Sequence, residues 1–162
     1  GHIEALCSGT GIARLASMEI LKVPGITGYF DTNYEGKAAY ALKALDDGFD
    51  LALVHIESTD EAGHMGDAKK KIQAIEDVDR RVVAPLLDGL KRRGEPFGIL
   101  VVCDHPTSTA LRTHIAEPVP FALYRTDGPA GAVSEYNESA VKASSLQFEH
   151  GYQLMSHFLQ TT

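Results

Sequence analysis

Leu51-Ala52-Leu53-Val54-His55-Ile56 and Gly98-Ile99-Leu100-Val101-Val102-Cys103 decide the fold class. Each is a short apolar run bounded by polar or turn-forming residues, the pattern of a strand buried within a sheet. Between them, from Asp67 to Arg93, Ile72, Ile75, Val78, Val82, Val83, Leu86, Leu87 and Leu90 recur at helical spacing. Pro85 is expected to kink or divide that helix, and Gly94 to end it behind Lys91, Arg92 and Arg93. Strand, long helix and strand in this order predict an α/β fold with a mostly parallel sheet covered by helices. Both runs are followed by acids and imidazoles: Asp60 and His64 after the first, Asp104 and His105 after the second, and His114 nine residues further on. Ligands of open α/β sheets bind beyond the carboxyl ends of strands, so all five are expected to face one crevice.

Working outward, Glu19 to Val23 reads as a short strand that stops at Pro24-Gly25, and residues 26–36 read as a loop rich in Gly, Asn, Asp and Tyr. Lys37 to Leu45 is helical in pattern, with Asp46-Asp47-Gly48 as its stop before a strand from Phe49 to Ile56. After a strand from Phe97 to Cys103 come a polar loop from Asp104 to Pro118, a short strand from Phe121 to Tyr124 and a Gly/Pro-rich loop to Gly131. The tail from Leu146 to Leu159 closes in a helical pattern, and no internal repeat is present.

A chain of 162 residues with 44% hydrophobic and 23% charged residues suits one globular domain with a sizeable core. Its net charge of -7 disfavours nucleic acid, whose phosphates demand a concentrated excess of Lys and Arg. A small phosphorylated substrate held by a metal is compatible with that acidity. No run reaches the roughly 18 to 20 apolar residues of a membrane helix, so no membrane partner is expected. Two cysteines, Cys7 and Cys103, make no disulfide framework; a cytoplasmic location is the expectation, with Cys103 an inert thiol in an apolar strand. The chain starts at Gly1-His2 without an initiator Met, which reads either as a tag-cleavage remnant or as the start of an excised fragment of a longer gene product.

Asp60 and His64, four residues apart, share one side of a helical turn, whereas Asp104 and His105 converge only if the backbone turns sharply, which Pro106 permits. Taken singly, Asp60 could cap a helix, His64 could be a solvated surface residue and Asp104 could form an Asx turn. Taken together, carboxylates and imidazoles at strand ends suit Zn²⁺ or Mn²⁺, and enough ligands for two ions permit phosphoryl chemistry. His55 reads as a core residue or a support to ligands. Ser8-Gly9-Thr10-Gly11 lacks the third Gly of a dinucleotide loop, Arg14 standing there, and lacks a Gly-Lys-Ser/Thr ending, so it reads as a loop entering a helix.

His55-Ile56-Glu57-Ser58-Thr59-Asp60-Glu61-Ala62-Gly63-His64-Met65-Gly66-Asp67, with Asp104-His105-Pro106-Thr107 and Leu111-Arg112-Thr113-His114, closely resembles the metal-binding segments of archaeal-type cofactor-independent phosphoglycerate mutases, members of the alkaline phosphatase superfamily. Val23 to Lys37 and Phe148-Glu149-His150-Gly151 also resemble that family, so the likeness spans nearly the whole chain. The resemblance implies a three-layer α/β/α sandwich. It implies one cation (Mn, Zn or Mg) on Asp60, His64 and His114, and a second to which Asp104 and His105 contribute. It also implies that an Asp and the nucleophilic Ser, on an N-terminal segment separated by a cap domain, complete the second site. Residues 1–162 are then expected to be the C-terminal portion of the phosphatase-like domain, inactive alone. In the complete enzyme, 2- and 3-phosphoglycerate would interconvert through a phosphoserine. Lys37 and Arg112 are the best cations for phosphate contact, with an ordinary exposed charge as the alternative. Two rivals stand beside this reading: another superfamily member (phosphopentomutase, phosphatase or sulfatase), and a metal-binding domain without turnover. Missing sheet neighbours would also leave an open edge and an apolar patch that favour self-association.

Overall fold

The computed structural model of the chain describes residues 3–5, 13–14, 16–129, 131–142 and 144–160. Ser8-Gly9-Thr10-Gly11 and Cys7 lie outside the described residues. In chain order the elements are β1 (Ile3–Ala5), α1 (Tyr34–Asp46), β2 (Leu51–Leu53), α2 (Ser58–Met65), α3 (Ala68–Val78), a π-helical turn (Asp79–Val83), α4 (Ala84–Arg93), β3 (Gly98–Val102), β4 (Thr107–Ser108), β5 (Thr113–His114), β6 (Phe121–Arg125), α5 (Glu138–Val141) and α6 (Tyr152–Leu159). They form two compact units: residues 1–94 with 107–114, and residues 95–106 with 115–162.

In the first unit β1 and β2 pair in parallel, Glu4 opposite Ala52. The helix expected from Lys37 starts three residues earlier, because Asn33 caps it with a side chain that accepts from the Gly36 N–H at 2.8 Å. Its inner face joins Tyr34 and Ala38 to Val82, with Val54, Ile56, Val78 and Leu86 packed around them. Arg81 lies over the Tyr34 ring, 4.6 Å from its centroid, and its guanidinium grips Glu35 at 2.6 Å. That hydrogen-bonded ion pair holds the Glu35 carboxyl below the usual range and lifts Arg81.

The helical run from Ala68 to Arg93 is interrupted just before Pro85, where the expected kink or division takes the form of the π-turn at Asp79–Val83. Proline offers no N–H and crowds the carbonyl four residues back. The chain meets both problems by widening just upstream, where the Ala84 N–H reaches the Asp79 carbonyl in a π-turn. The expected apolar stripe is covered unevenly: Val82 and Leu90 are buried, whereas Ile72 and Ile75 are exposed and Ala74, outside the stripe, is buried in their place. Glu19 to Val23 is not a strand: Glu19 makes an isolated bridge, and residues 20–23 have no ladder partner among the described residues.

The second unit is built on β3 and β6, antiparallel, with Leu100 opposite Leu123. Phe121 stacks near Phe148 at 5.7 Å between ring centroids. Arg125 donates to the Phe158 and Gln160 carbonyls at 3.1 and 3.2 Å, satisfying the end of α6. Two corrections arise here. Of three strand pairings among the described residues, two are antiparallel, so a mostly parallel sheet is not what these residues show. Cys103, expected in a buried strand, is exposed just past the end of β3. Among the described residues no helix is long and apolar enough to cross a membrane.

Candidate metal centre

Helix α2 carries the first two groups. Asp60 and His64 stand one turn apart on it, and Gly66 ends it in the left-handed conformation at φ 70°. The third group comes from a feature that the sequence reading took for a polar loop: β4 and β5 form a minimal antiparallel hairpin in which Thr107 lies opposite His114 and Ser108 opposite Thr113. Arg112 turns this hairpin at φ 56°, a conformation uncommon outside glycine, while its N–H donates to the Ser108 carbonyl at 2.7 Å.

The hairpin docks on the helix by close approach. A Cβ placed on Gly63 would come within 2.7 Å of both the Thr107 carbonyl oxygen and its methyl group, so only glycine admits the strand here. One turn on, Gly66 lies equally close to the Arg112 side chain. This brings His114 to the Asp60–His64 pair. The His64 and His114 Nε2 atoms are 3.1 Å apart, Asp60 Oδ2 is 3.2 Å from His64 Nε2, and Asp60 Oδ1 is 3.4 Å from His114 Nε2.

Those separations are what a cation requires. Ligand atoms at about 2.1 Å in a tetrahedral array stand about 3.4 Å from one another. The tautomer of His64 fits as well: its Nδ1 lies 3.1 Å from the Arg112 carbonyl, which can only accept, so the proton sits on Nδ1 and the Nε2 lone pair points at the centre. With side-chain exposures of 32% for Asp60, 38% for His64 and 50% for His114, all three side chains are reached by solvent in this chain. Among the described residues these three are the group with metal-holding geometry.

The remaining expected residues are placed differently. Asp104 and His105 follow β3 in the second unit, where the Asp104 carboxylate accepts from the His105 N–H at 3.1 Å and lies 3.5 Å from its Nε2. Lys37 is fully buried in the first unit and donates to the His55 carbonyl at 2.7 Å, which makes it an interior brace instead of a surface cation. Arg112 is exposed, and its backbone carbonyl serves His64. His55 stays half-buried beyond β2, 3.7 Å from Glu57. Sequence reasoning gave no role to Thr107, whose hydroxyl donates to Asp60 Oδ1, or to Lys71, whose ammonium donates to the Thr107 carbonyl. Nothing in the spacing of either residue announced it.

Residues 1–159 match the model of the metalloenzyme superfamily, and the chain belongs to that superfamily. It is 48% identical over 137 residues to the 2,3-bisphosphoglycerate-independent phosphoglycerate mutase of Methanosarcina mazei, covering 84% of this chain and 34% of the relative. It is 43% identical over 145 residues to the 2,3-bisphosphoglycerate-independent phosphoglycerate mutase 2 of Methanothermobacter thermautotrophicus, covering 90% and 35%. The chain therefore spans about a third of the length of these curated relatives. A solved structure of a protein from Pyrococcus horikoshii superposes with a TM-score of 0.78 at 27% identity, covering 87% of this chain and 43% of that one.

Proposed function

We propose that Asp60, His64 and His114 hold one divalent cation, and that residues 1–162 are the C-terminal, metal-binding portion of a phosphoglycerate mutase. The observation that carries this reading is the meeting of one carboxylate and two imidazole nitrogens within 3.1 to 3.4 Å of a neighbour. Such a set suits Mn²⁺, Zn²⁺ or Mg²⁺, and a cation bound there would stabilise negative charge on a transferring phosphoryl group. Asp104 and His105 are proposed as partial ligands of a second cation, with the remaining ligands and the nucleophilic Ser supplied by sequence outside this chain. In the whole protein these portions would complete a three-layer α/β/α domain working in the cytoplasm on 2- and 3-phosphoglycerate.

This chain's own residues have limited tasks in that scheme. Asp60 and the two imidazoles bind and orient, the Arg112 carbonyl keeps the His64 proton on Nδ1, and the exposed Arg112 guanidinium is the better-placed cation for a substrate phosphate. Lys37, with its ammonium on a backbone carbonyl inside the core, contributes shape and stability.

The test is an assay of the full-length protein with 3-phosphoglycerate and Mn²⁺. Formation of 2-phosphoglycerate is expected, along with its loss in His64→Ala and no turnover by the 162-residue chain alone. Phosphate release in place of isomerisation would move the assignment to a phosphatase, and mutase activity surviving Asp60→Ala would end the metal reading.

A further inference from the structure

We infer that Thr107 is the positioning residue of the metal centre: its hydroxyl donates to Asp60 Oδ1 and so holds the carboxylate between the His64 and His114 imidazoles. This inference rests on the metal reading above and adds a residue to it.

Thr107 is 5% exposed, and its hydroxyl donates to Asp60 Oδ1. Its backbone carbonyl accepts from the Lys71 ammonium, so the residue is fixed from its main chain as well as from its side chain. In the hairpin register it lies directly opposite His114, and its methyl and carbonyl rest on Gly63, the residue before His64. One buried side chain thus touches Asp60, adjoins His64 through Gly63, and shares a cross-strand pair with His114.

An ionised carboxylate has two oxygens with about four lone-pair sites. Left alone, it can swing or bind a cation through both oxygens. A buried hydroxyl on Oδ1 limits the swing and holds the carboxylate where Oδ2 lies 3.2 Å from His64 Nε2 and Oδ1 3.4 Å from His114 Nε2. Supporting hydrogen bonds of this kind are worth about 10- to 100-fold in metal affinity.

The experiment compares Mn²⁺ binding by calorimetry in the wild-type chain, Thr107→Val, Thr107→Ser and His114→Ala, with apo thermal unfolding recorded for each. Thr107→Val keeps the shape and removes the donor; a loss of about 10- to 100-fold is expected. Thr107→Ser keeps the donor and should stay within about threefold of wild type. The apo melts separate this role from a purely structural one: the loss of affinity in Thr107→Val and its rescue in Thr107→Ser should not follow the change in apo stability. If Thr107→Val does not fold, Thr107→Ser and Thr107→Ala, which differ by the hydroxyl alone, decide the matter in the same way. Equal affinities with and without the hydroxyl overturn the role of Thr107 while leaving the metal centre standing. A wild-type isotherm no tighter than that of His114→Ala removes the metal centre itself, and this inference with it.

Discussion

Two acid–imidazole groups of the same chemical kind end up in very different condition. Asp60 and His64 are held one helical turn apart, and each is engaged by the hairpin: a hydroxyl on the carboxylate, a carbonyl on Nδ1. Asp104 and His105 are neighbours in sequence, and the Asp104 carboxylate, 77% exposed, bends back to its own neighbour's N–H. The first group directs its lone pairs at one point because other atoms occupy the alternatives. The second spends part of its capacity locally. Residue type therefore nominates a ligand, and the atoms behind it decide whether it is ready to bind.

The largest effects should come from removing a member of the organised group. His64→Ala, Asp60→Ala or His114→Ala should each weaken the tightest Mn²⁺ step more than the 10- to 100-fold expected for a supporting residue, thus by more than about 100-fold. Asp104→Ala should abolish only a weaker second step, because that pair supplies two ligands where the first group supplies three. Calorimetric titration of the four variants would break the comparison if Asp104→Ala erased the tightest step.

Next in size is the docking contact. Gly63→Ala forces a methyl against the Thr107 carbonyl and side chain, an overpacking that costs about 1 to 3 kcal/mol. Thermal melts should show this loss without metal, and Mn²⁺ affinity should fall in parallel as the hairpin is pushed from the helix. A destabilised chain with unchanged affinity would mean that the hairpin does not organise the site.

Smaller effects are expected where no such convergence exists. Ile72 and Ile75, 59% and 51% exposed, should tolerate Ile72→Glu with Ile75→Glu within about 0.5 kcal/mol each. If the open apolar face supports self-association, sedimentation should show less of it in the double variant. The smallest effect belongs to Glu35 and Arg81, an exposed pair screened by solvent. Glu35→Gln should cost ~0.5 kcal/mol at neutral pH. Because the Glu35 carboxyl is held below its usual range, its contribution is present above that range and is lost as pH falls through the lowered value, so wild type and variant should converge in acid.

The parts visible in the sequence were those governed by local periodicity. The four-residue step from Asp60 to His64, the helix through residues 68–93 and its Gly94 stop all follow from helical spacing. His114 was nominated by composition and resemblance, while the structure that brings it in went unread: β4 and β5 have two residues each, too short to show alternation, and Arg112 turns between them in a conformation that residue type does not announce. Cys103 was misread because an apolar run was taken for a central strand, whereas β3 has one antiparallel partner among the described residues and ends before the thiol. Lys37 looked like a surface charge because nothing in its neighbourhood reveals the His55 carbonyl, 18 residues away, that takes its ammonium.

The most direct test of the metal centre is anomalous diffraction from crystals of the chain grown or soaked with Mn²⁺. A peak is predicted about 2.0 to 2.2 Å from Nε2 of His64, Nε2 of His114 and one Asp60 oxygen, with Thr107 still on the other oxygen. A strong Mn²⁺ peak held by other residues, or none at this cluster at saturating Mn²⁺ in an intact structure, would contradict the account.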